Sequence, residues 1–490
     1  MRVSASPFSH ESQLRAIERM IEAKPDEISL RFARACCLED LGFPDAARNA
    51  YADVLRRDGT HFGALTNIGS MFLERGDFAA ARPYFVAAAA AHPDDAVAHI
   101  NLGQLYTETH EFQSALAHFN AALGMRPDHF YALLGLGTLF ERAGDRAAAD
   151  RWLERAFAKP YIWTYPYRGT GVPVRVLMLA SPRGGDLVSN LFFDEQVVER
   201  NVLVPEAYRP GVVLPPHDVL FNVIGDVDKC RSSLERARAL VADSGAPVLN
   251  HPDAVLATGR DEIMQRLRGI PGLVAPLTAR VPRAQLTGPE LAARGFTFPI
   301  LLRSPGFHTG DHFVRVATAR DLDVALAILP GDELLAIEPL ASRAADGFVR
   351  KYRVLFVDRR PYPLHLAISP NWKVHYFSSD MFERADHREE EAAFLRDPEA
   401  ALGTAAMRAL GAVADVLDLD YGGIDFGLDA HGAVLAFEAN ATMAVYPPGP
   451  EAHFDYRRAA SENAIAAVRA MIVQRAADAA LTTETPIDAK

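Results

Sequence analysis

"YGGIDFGLDAHGAVLAFEANATM" occupies residues 421–443, and in it an apolar, sheet-forming segment carries three oxygen-bearing side chains, Asp425, Glu438 and Asn440. A turn at "DAHG" (429–432) makes the stretch a hairpin in which residue 425 lies opposite 436, and period-two alternation puts 438 and 440 on that same face. A slip of one residue would separate Asp425 from the other two. Two acids and an amide converging on one face suit a hard cation with oxygen ligands, one that also meets phosphates. The other reading is an exposed polar sheet face.

Outward from the hairpin the pattern is α/β. "AMRALGAVADVLDLD" (406–420) has apolar residues at 407, 410, 413, 414 and 417, a helical spacing. "VRVLMLAS" (174–181) and "HDVLFNVIGD" (217–226) read as buried parallel strands, the second followed by a helix and by a short strand at "PVLNHP". Gly184 and Gly185 after the first strand suit a close ligand approach or an ordinary turn equally. "TGRDEIMQRLRGIPGLVAPLT" (258–278) reads as helix, turn and strand. In "FPILLRSPGFHTGDHFVRV" (298–316) a strand ends on Arg303, a glycine-bearing loop follows, and a strand returns. A cation beside such a loop makes a phosphate cradle, or a plain hairpin. "DELLAIEPL" (332–340) is a strand ending at Glu338, and "GFVRKYRVLFVDRRPYPLHLAI" (347–368) is a strand pair with Lys351 and Arg353 on one face.

The first third is different. Glycines at 42, 76 and 144 keep a step of 34, with His110 at the missing station. Ala47, Ala81, Ala115 and Ala149 share the step, as do Tyr51, Phe85, Phe119 and Leu153, and Gly69, Gly103 and Gly137. Small residues let paired helices approach, and large ones fill the next groove. These columns resemble the tetratricopeptide repeat, with "NLGQLYTETHEFQSALAHFNAALGMRPD" (101–128) the clearest copy and 12–25 a preceding capping helix. The resemblance implies a solenoid that binds a peptide or protein, or serves self-association. Asn67 and Asn101 recur at one station that such repeats turn to peptide backbone, or lie on plain surface.

Composition sets bounds. The 490 residues carry a net charge of −12, with 49% apolar and 23% charged residues. No basic footprint for nucleic acid is present. Three cysteines form neither a disulfide framework nor a zinc set. The N-terminal stretch has no signal-peptide core and no run of apolar residues is long enough for a membrane helix, so a cytoplasmic protein is expected. The expected layout is a repeat array with its capping helix at 1–160, a linker at 161–173, an α/β domain at 174–255, a larger α+β domain at 256–475 and a flexible tail at 476–490.

The order of helix, cation, glycine loop and "D…ExN" hairpin over roughly 174–472 resembles the ATP-grasp superfamily, in particular its glutathione-synthetase and D-alanine–D-alanine-ligase branch. The resemblance implies that Arg260 and Arg303 hold nucleotide phosphates, both standing where the family has lysine. It implies that the loop with Ser304, Gly306 and Gly310 covers the phosphates, and that Glu338, Pro339 and Leu340 meet the adenine. Arg353, with Arg303, becomes the catalytic cation, and Asp425, Glu438 and Asn440 become magnesium ligands. Lys351, His365, Lys373 and His375 are substrate candidates. The implied activity is ATP-dependent carboxylate–amine ligation through an acylphosphate, on a small molecule or on a peptide held by the repeats. The alternatives are a nucleotide-binding scaffold without catalysis and a kinase on the same fold.

Overall fold

The computed structural model describes residues 7–483 apart from 41–42, 159–161, 308–309, 311, 375, 377–378 and 449–451. The chain divides into two compact units, Met1–Tyr161 and Ile162–Lys490.

In the first unit, helix Pro7–Ala23 precedes four helix pairs: Ile28–Asp40 with Pro44–Arg57, Phe62–Glu74 with Phe78–Ala91, Ala96–Glu108 with Phe112–Met125, and Phe130–Arg142 with Arg146–Ala156. The columns seen in the sequence are the contacts that join each pair. A Cβ at Gly69, Gly103 or Gly137 would stand 2.5, 2.7 or 2.5 Å from Phe85, Phe119 or Leu153, so each glycine is the floor on which a large side chain rests. Gly76 and Gly144 turn between helices at φ of 73° and 82°, and His110, at the station without glycine, adopts φ 60°. The Asn67 amide donates to the buried Tyr51 hydroxyl at 2.8 Å, so it is engaged within the unit.

The second unit mixes helices with three sheets. Strands β1 (Ile162–Tyr165), β2 (Val174–Leu179), β3 (Val198–Leu203), β4 (Val219–Asn222) and β5 (Val248–Leu249) form the first, in the order β1-β3-β2-β4-β5. Its pairings are parallel except β1 on β3. β1 therefore lies inside the stretch 161–173 expected to be a linker. Prolines and aromatics hide its period, and Arg200 of β3 stacks 3.9 Å over Tyr165 to hold it. β6 (Leu273–Val274) is followed by β7 (Thr278–Pro282), β8 (Ile300–Arg303), β9 (Phe313–Val316) and β10 (Glu333–Ile337), of which the last four make an antiparallel sheet ordered β7-β10-β8-β9. β11 (Val349–Val357), β12 (Arg360–Ser369), β13 (Tyr421–Leu428) and β14 (Val434–Asn440) join β6 in the third, ordered β12-β11-β13-β14-β6.

One core runs from the first sheet to the third. Val176 and Phe221 of the former, Leu355 and Tyr421 of the latter, and Val468 and Ile472 of helix Arg458–Thr483 belong to it. That helix continues past residue 476, where a flexible tail was expected to begin, because Ala464, Val468, Ile472 and Ala476 make a buried stripe at every fourth residue. Residues 484–490 lie outside those described. Asn250 fastens the two sheets together: its side chain accepts from Tyr421 N and donates to Tyr421 O, each at 2.8 Å.

The repeat contacts give opposite outcomes for two glycines of one helix pair. Gly103→Ala drives a methyl into Phe119 and is expected to cost about 1–3 kcal/mol by overpacking. Gly124→Ala, with nothing within 4 Å of the new methyl, is expected to gain up to about 1 kcal/mol of helix propensity. Urea titration of the full chain, following the repeat transition, reads both.

Candidate active site

The hairpin that opened the reading is β13 and β14, and its register differs from the expected one by two residues. The loop between the strands spans 429–433, one residue longer than expected, which moves the pairing by one; Leu428 then faces Val434. A bulge at Phe437 moves it by one more, so Asp425 faces Glu438 and Gly423 faces Asn440. Two single shifts restore the parity that either alone would break. The Phe437 ring lies over Gly427, where a Cβ would come within 2.8 Å of it. Gly427 thus makes room for the bulge that sets the two carboxylates side by side.

The row continues across the sheet. Arg353 of β11 faces Asp425 on one side and His365 of β12 on the other, so His365, Arg353, Asp425 and Glu438 cross four neighbouring strands. Arg353 grips Asp425 with two bonds, Nε to Oδ1 at 2.7 Å and Nη2 to Oδ2 at 2.9 Å, and Lys351 Nζ adds a third at 3.1 Å. Burial works to raise the Asp425 carboxyl, but the pull of Arg353 and then Lys351 outweighs it and holds the group well below the usual carboxylate range. Glu438 is lowered to about 2 in the same way, burial being overcome by Arg260 and then Arg303. Arg260, at the start of helix Arg260–Leu267, meets Glu438 at 2.7 Å. The Asn440 amide also donates to Glu438 at 2.7 Å, and its oxygen accepts from Thr442 N at 2.9 Å.

These groups line a cavity of about 840 Å³ between the second and third sheets. Among the described residues nine lysines and arginines line it against four carboxylates, in a chain whose net charge is −12. Arg303, at the end of β8, is 8% exposed, and among the described residues its Nε has no hydrogen-bond partner. Its Nη2 donates to the Phe307 carbonyl. Burial and the neighbouring Arg260 lower it to about 10. A buried guanidinium beside a second one, with no carboxylate of its own among the described residues, suits an anion. Along the same cavity Ile337 and Leu301, paired across β10 and β8, join Leu340, Ile263 and Met264 in an apolar wall. Glu338 follows β10 there. It is exposed, and Leu277 N donates to its carboxylate at 2.9 Å.

The expected residues are not all gathered. Arg260, Arg303, Glu338, Pro339, Leu340, Arg353, Asp425, Glu438 and Asn440 line the cavity, as do Gly310, Lys351, His365 and Lys373. Lys351 is spent on Asp425, and Lys373 donates to the Gly310 carbonyl. Ser304 and Gly306 are not part of the lining. The Ser304 hydroxyl donates instead to the Pro330 carbonyl at 2.7 Å, because the residue is buried at the strand end. Gly306 turns at φ 76° against the Lys229 side chain. His375, and His308, Thr309 and Asp311 of the loop, lie outside the described residues.

The sequence reading missed several lining residues. Lys229 stands in the first turn of helix Val227–Ser244, and Asp186 follows the glycine turn after β2. Gly225 brings that layer against the exit of β14, where a Cβ would stand 2.6 Å from Thr442. Arg457 and Tyr376 had no strand or glycine signature to mark them. Among the described residues no three His, Cys, Asp or Glu side chains gather as a metal cluster. The donor set expected from the sequence is two carboxylates and an amide, oxygen donors of the kind a hard divalent cation takes; in this structure Arg353, Lys351 and Arg260 hold the carboxylates and the Asn440 oxygen accepts from Thr442.

Asp186 supplies a pH test. Its oxygens accept from Ser181 N at 2.9 and 3.1 Å, yet burial raises the carboxyl to about 7. The folded chain holds this proton from the unfolded value of about 4 up to about 7. Its contribution to stability is thus complete below about pH 4 and lost as pH rises through 7. Asp186→Asn is expected to gain stability relative to the parent across that window, read as the difference in melting temperature from pH 4 to pH 8.

Comparison with known proteins bears on the first unit. Profiles of the tetratricopeptide repeat match residues 61–128 and 100–161. No curated protein matches the chain. Among solved structures, MamA (41-end) from Desulfovibrio magneticus RS-1 is similar at 23% identity over 31% of this chain and 85% of that one, with a TM-score of 0.29. PilW, a widely conserved type IV pilus biogenesis factor, is similar at 21% identity over 30% and 69%, with a TM-score of 0.29. A tetratricopeptide repeat protein from Parabacteroides merdae ATCC 43184 is similar at 18% identity over 31% and 59%, with a TM-score of 0.28. No helix among the described residues is long and apolar enough to cross a membrane. The chain carries tetratricopeptide repeats across residues 61–161, followed by a mixed helix and sheet region.

Proposed function

We propose that the second unit is an ATP-grasp ligase that uses ATP and magnesium to join a carboxylate to an amine. The observation that carries this reading is Arg303, a buried cation with no carboxylate partner among the described residues, set beside Arg260 and in one cavity with the Asp425–Glu438 pair. Such an arrangement matches a polyphosphate on one side and a metal on the other.

In this reading the adenine rests on Ile337, Leu340 and Met264, and the phosphates lie along Arg260 and Arg303. Asp425, Glu438 and Asn440 would hold magnesium, which when bound neutralises phosphate charge. Arg353 releases part of its grip on Asp425 and turns its fork to the transferring phosphoryl group, where a preorganised cation is most effective. The substrate carboxylate oxygen bonds to the γ-phosphorus as the bond to ADP breaks. An amine then attacks the acyl carbon, orthophosphate leaves with the electron pair of the broken bond, and the amine loses a proton. The repeats supply a surface of the kind that binds proteins, which favours a peptide or protein as the substrate.

Incubation of the full chain with ATP, magnesium, hydroxylamine as the amine and a pool of acidic peptides tests the reading. Equimolar ADP and orthophosphate with a hydroxamate product are expected, and Glu438→Gln or Arg303→Met is expected to lower the rate by about 100-fold or more. Phosphate retained on the product would make the protein a kinase. ADP formation no faster than in Glu438→Gln would leave a scaffold that binds nucleotide.

A further inference from the structure

Beyond Arg353, on the side away from Asp425, the cavity wall carries a second cation that the nucleotide reading does not use. Arg457 is 8% exposed and lines the cavity. Its guanidinium lies 4.2 Å over the Tyr376 ring. Its Nε approaches Glu391 at 3.4 Å as an ion pair without a hydrogen bond, and among the described residues no group accepts a hydrogen bond from it.

Glu391 cannot turn to serve it better. This fully buried carboxylate already accepts from Leu366 N at 3.1 Å, from the Tyr376 hydroxyl at 3.0 Å and from the Tyr456 hydroxyl. It acts as a fixed post that orients the arginine from behind. Next to Arg457 stands His365, also 8% exposed, its ring 5.0 Å from that of Tyr376 and its Nδ1 without a partner among the described residues. Burial and then Arg353 push the imidazole well below its ordinary value, so it is neutral at pH 7. Two polar side chains, each more than nine-tenths buried, thus line the cavity, each with one nitrogen that has no hydrogen-bond partner among the described residues. Buried groups left so are unfavourable unless a ligand completes them.

We propose that Arg457, on its Tyr376 platform and with His365 beside it, binds a second carboxylate of the substrate, so that the acceptor is a dicarboxylic molecule or an acidic peptide end. A planar fork stacked on an aromatic ring is the arrangement that takes a carboxylate in two bonds. The spacing fits an extended molecule. His365, Arg353 and Asp425 sit on successive strands about 4.8 Å apart, and Arg457 lies beyond His365. The two carboxylates would be held on the order of 10 Å apart, given that spacing. The role of the nearer carboxylate as phosphoryl acceptor rests on the ligase reading; the existence of the Arg457 site does not.

Calorimetric titration of the full chain tests the site, using dicarboxylates from glutarate to sebacate, monocarboxylates of equal length, and inorganic phosphate. At least one longer dicarboxylate is expected to bind about 10-fold more tightly than its monocarboxylate, equivalent to roughly 1.4 kcal/mol. Arg457→Gln is expected to abolish that preference, and Arg457→Lys, which keeps charge but loses the fork, to lose most of it. Affinity for a non-hydrolysable ATP analogue should be the same in all three proteins. Should Arg457→Gln fail to fold, as seen by circular dichroism, the lysine variant alone decides. A preference unchanged by substitution, no dicarboxylate binding at all, or an effect confined to phosphate would overturn the proposal. A dicarboxylate preference without any nucleotide binding would sink the ligase reading and leave this site standing.

Discussion

Asp425, buried, and Glu438, half-buried, face each other on adjacent strands, and two carboxylates in that position repel. Everything around them answers that repulsion. Arg353 and Lys351 neutralise one, and Arg260 neutralises the other. The cations come from β11 and from the helix that begins at Arg260, so the constraint ties β11, β13, β14 and that helix into one geometry. Breaking one partner of such a set leaves a buried charge uncompensated, which typically costs about 3–5 kcal/mol. A face designed only for stability would hold apolar residues there instead. Under the proposed ligase reading, the arrangement would be a store of ionised oxygen ligands for a divalent cation that arrives with phosphates.

The second consequence is the surplus of positive charge. Once Asp425 and Glu438 are matched, Arg303 at the end of β8 and Arg457 on the Tyr376 ring remain buried without hydrogen-bonded carboxylates among the described residues. They stand to either side of the same charged row, and both line the cavity. A molecule spanning it meets a cation near each end and the acid pair between them.

Much of this was legible in the sequence. The 34-residue columns named the contacting residues of the repeats because a glycine under a phenylalanine is a pairwise requirement repeated at fixed spacing, and Gly103 under Phe119 is the same event as Gly69 under Phe85. The strands from β8 to β14 were visible as apolar runs with clean turns. Asp425, Glu438 and Asn440 were placed on one face, but by a register that was off by two; a bulge leaves no mark in alternation, and only the parity survived. β1 and β3 were missed because prolines, an arginine and an asparagine interrupt their apolar character. Ser304 was expected to face phosphate, and only the fold reveals that its hydroxyl turns to Pro330. Arg457 sits in a run of charged and aromatic residues that resembles any solvated helix start. Its burial depends on Tyr376 and Glu391, distant in sequence.

The central claim is that the acid pair is a metal site completed by a nucleotide. The most direct measurement is the affinity of the full chain for a non-hydrolysable ATP analogue, titrated with and without magnesium. The account predicts binding at least about 10-fold tighter with magnesium, and the loss of that difference when Asp425 is replaced by asparagine. Nucleotide affinity that is indifferent to magnesium in the unaltered protein, or no binding under either condition, would contradict it.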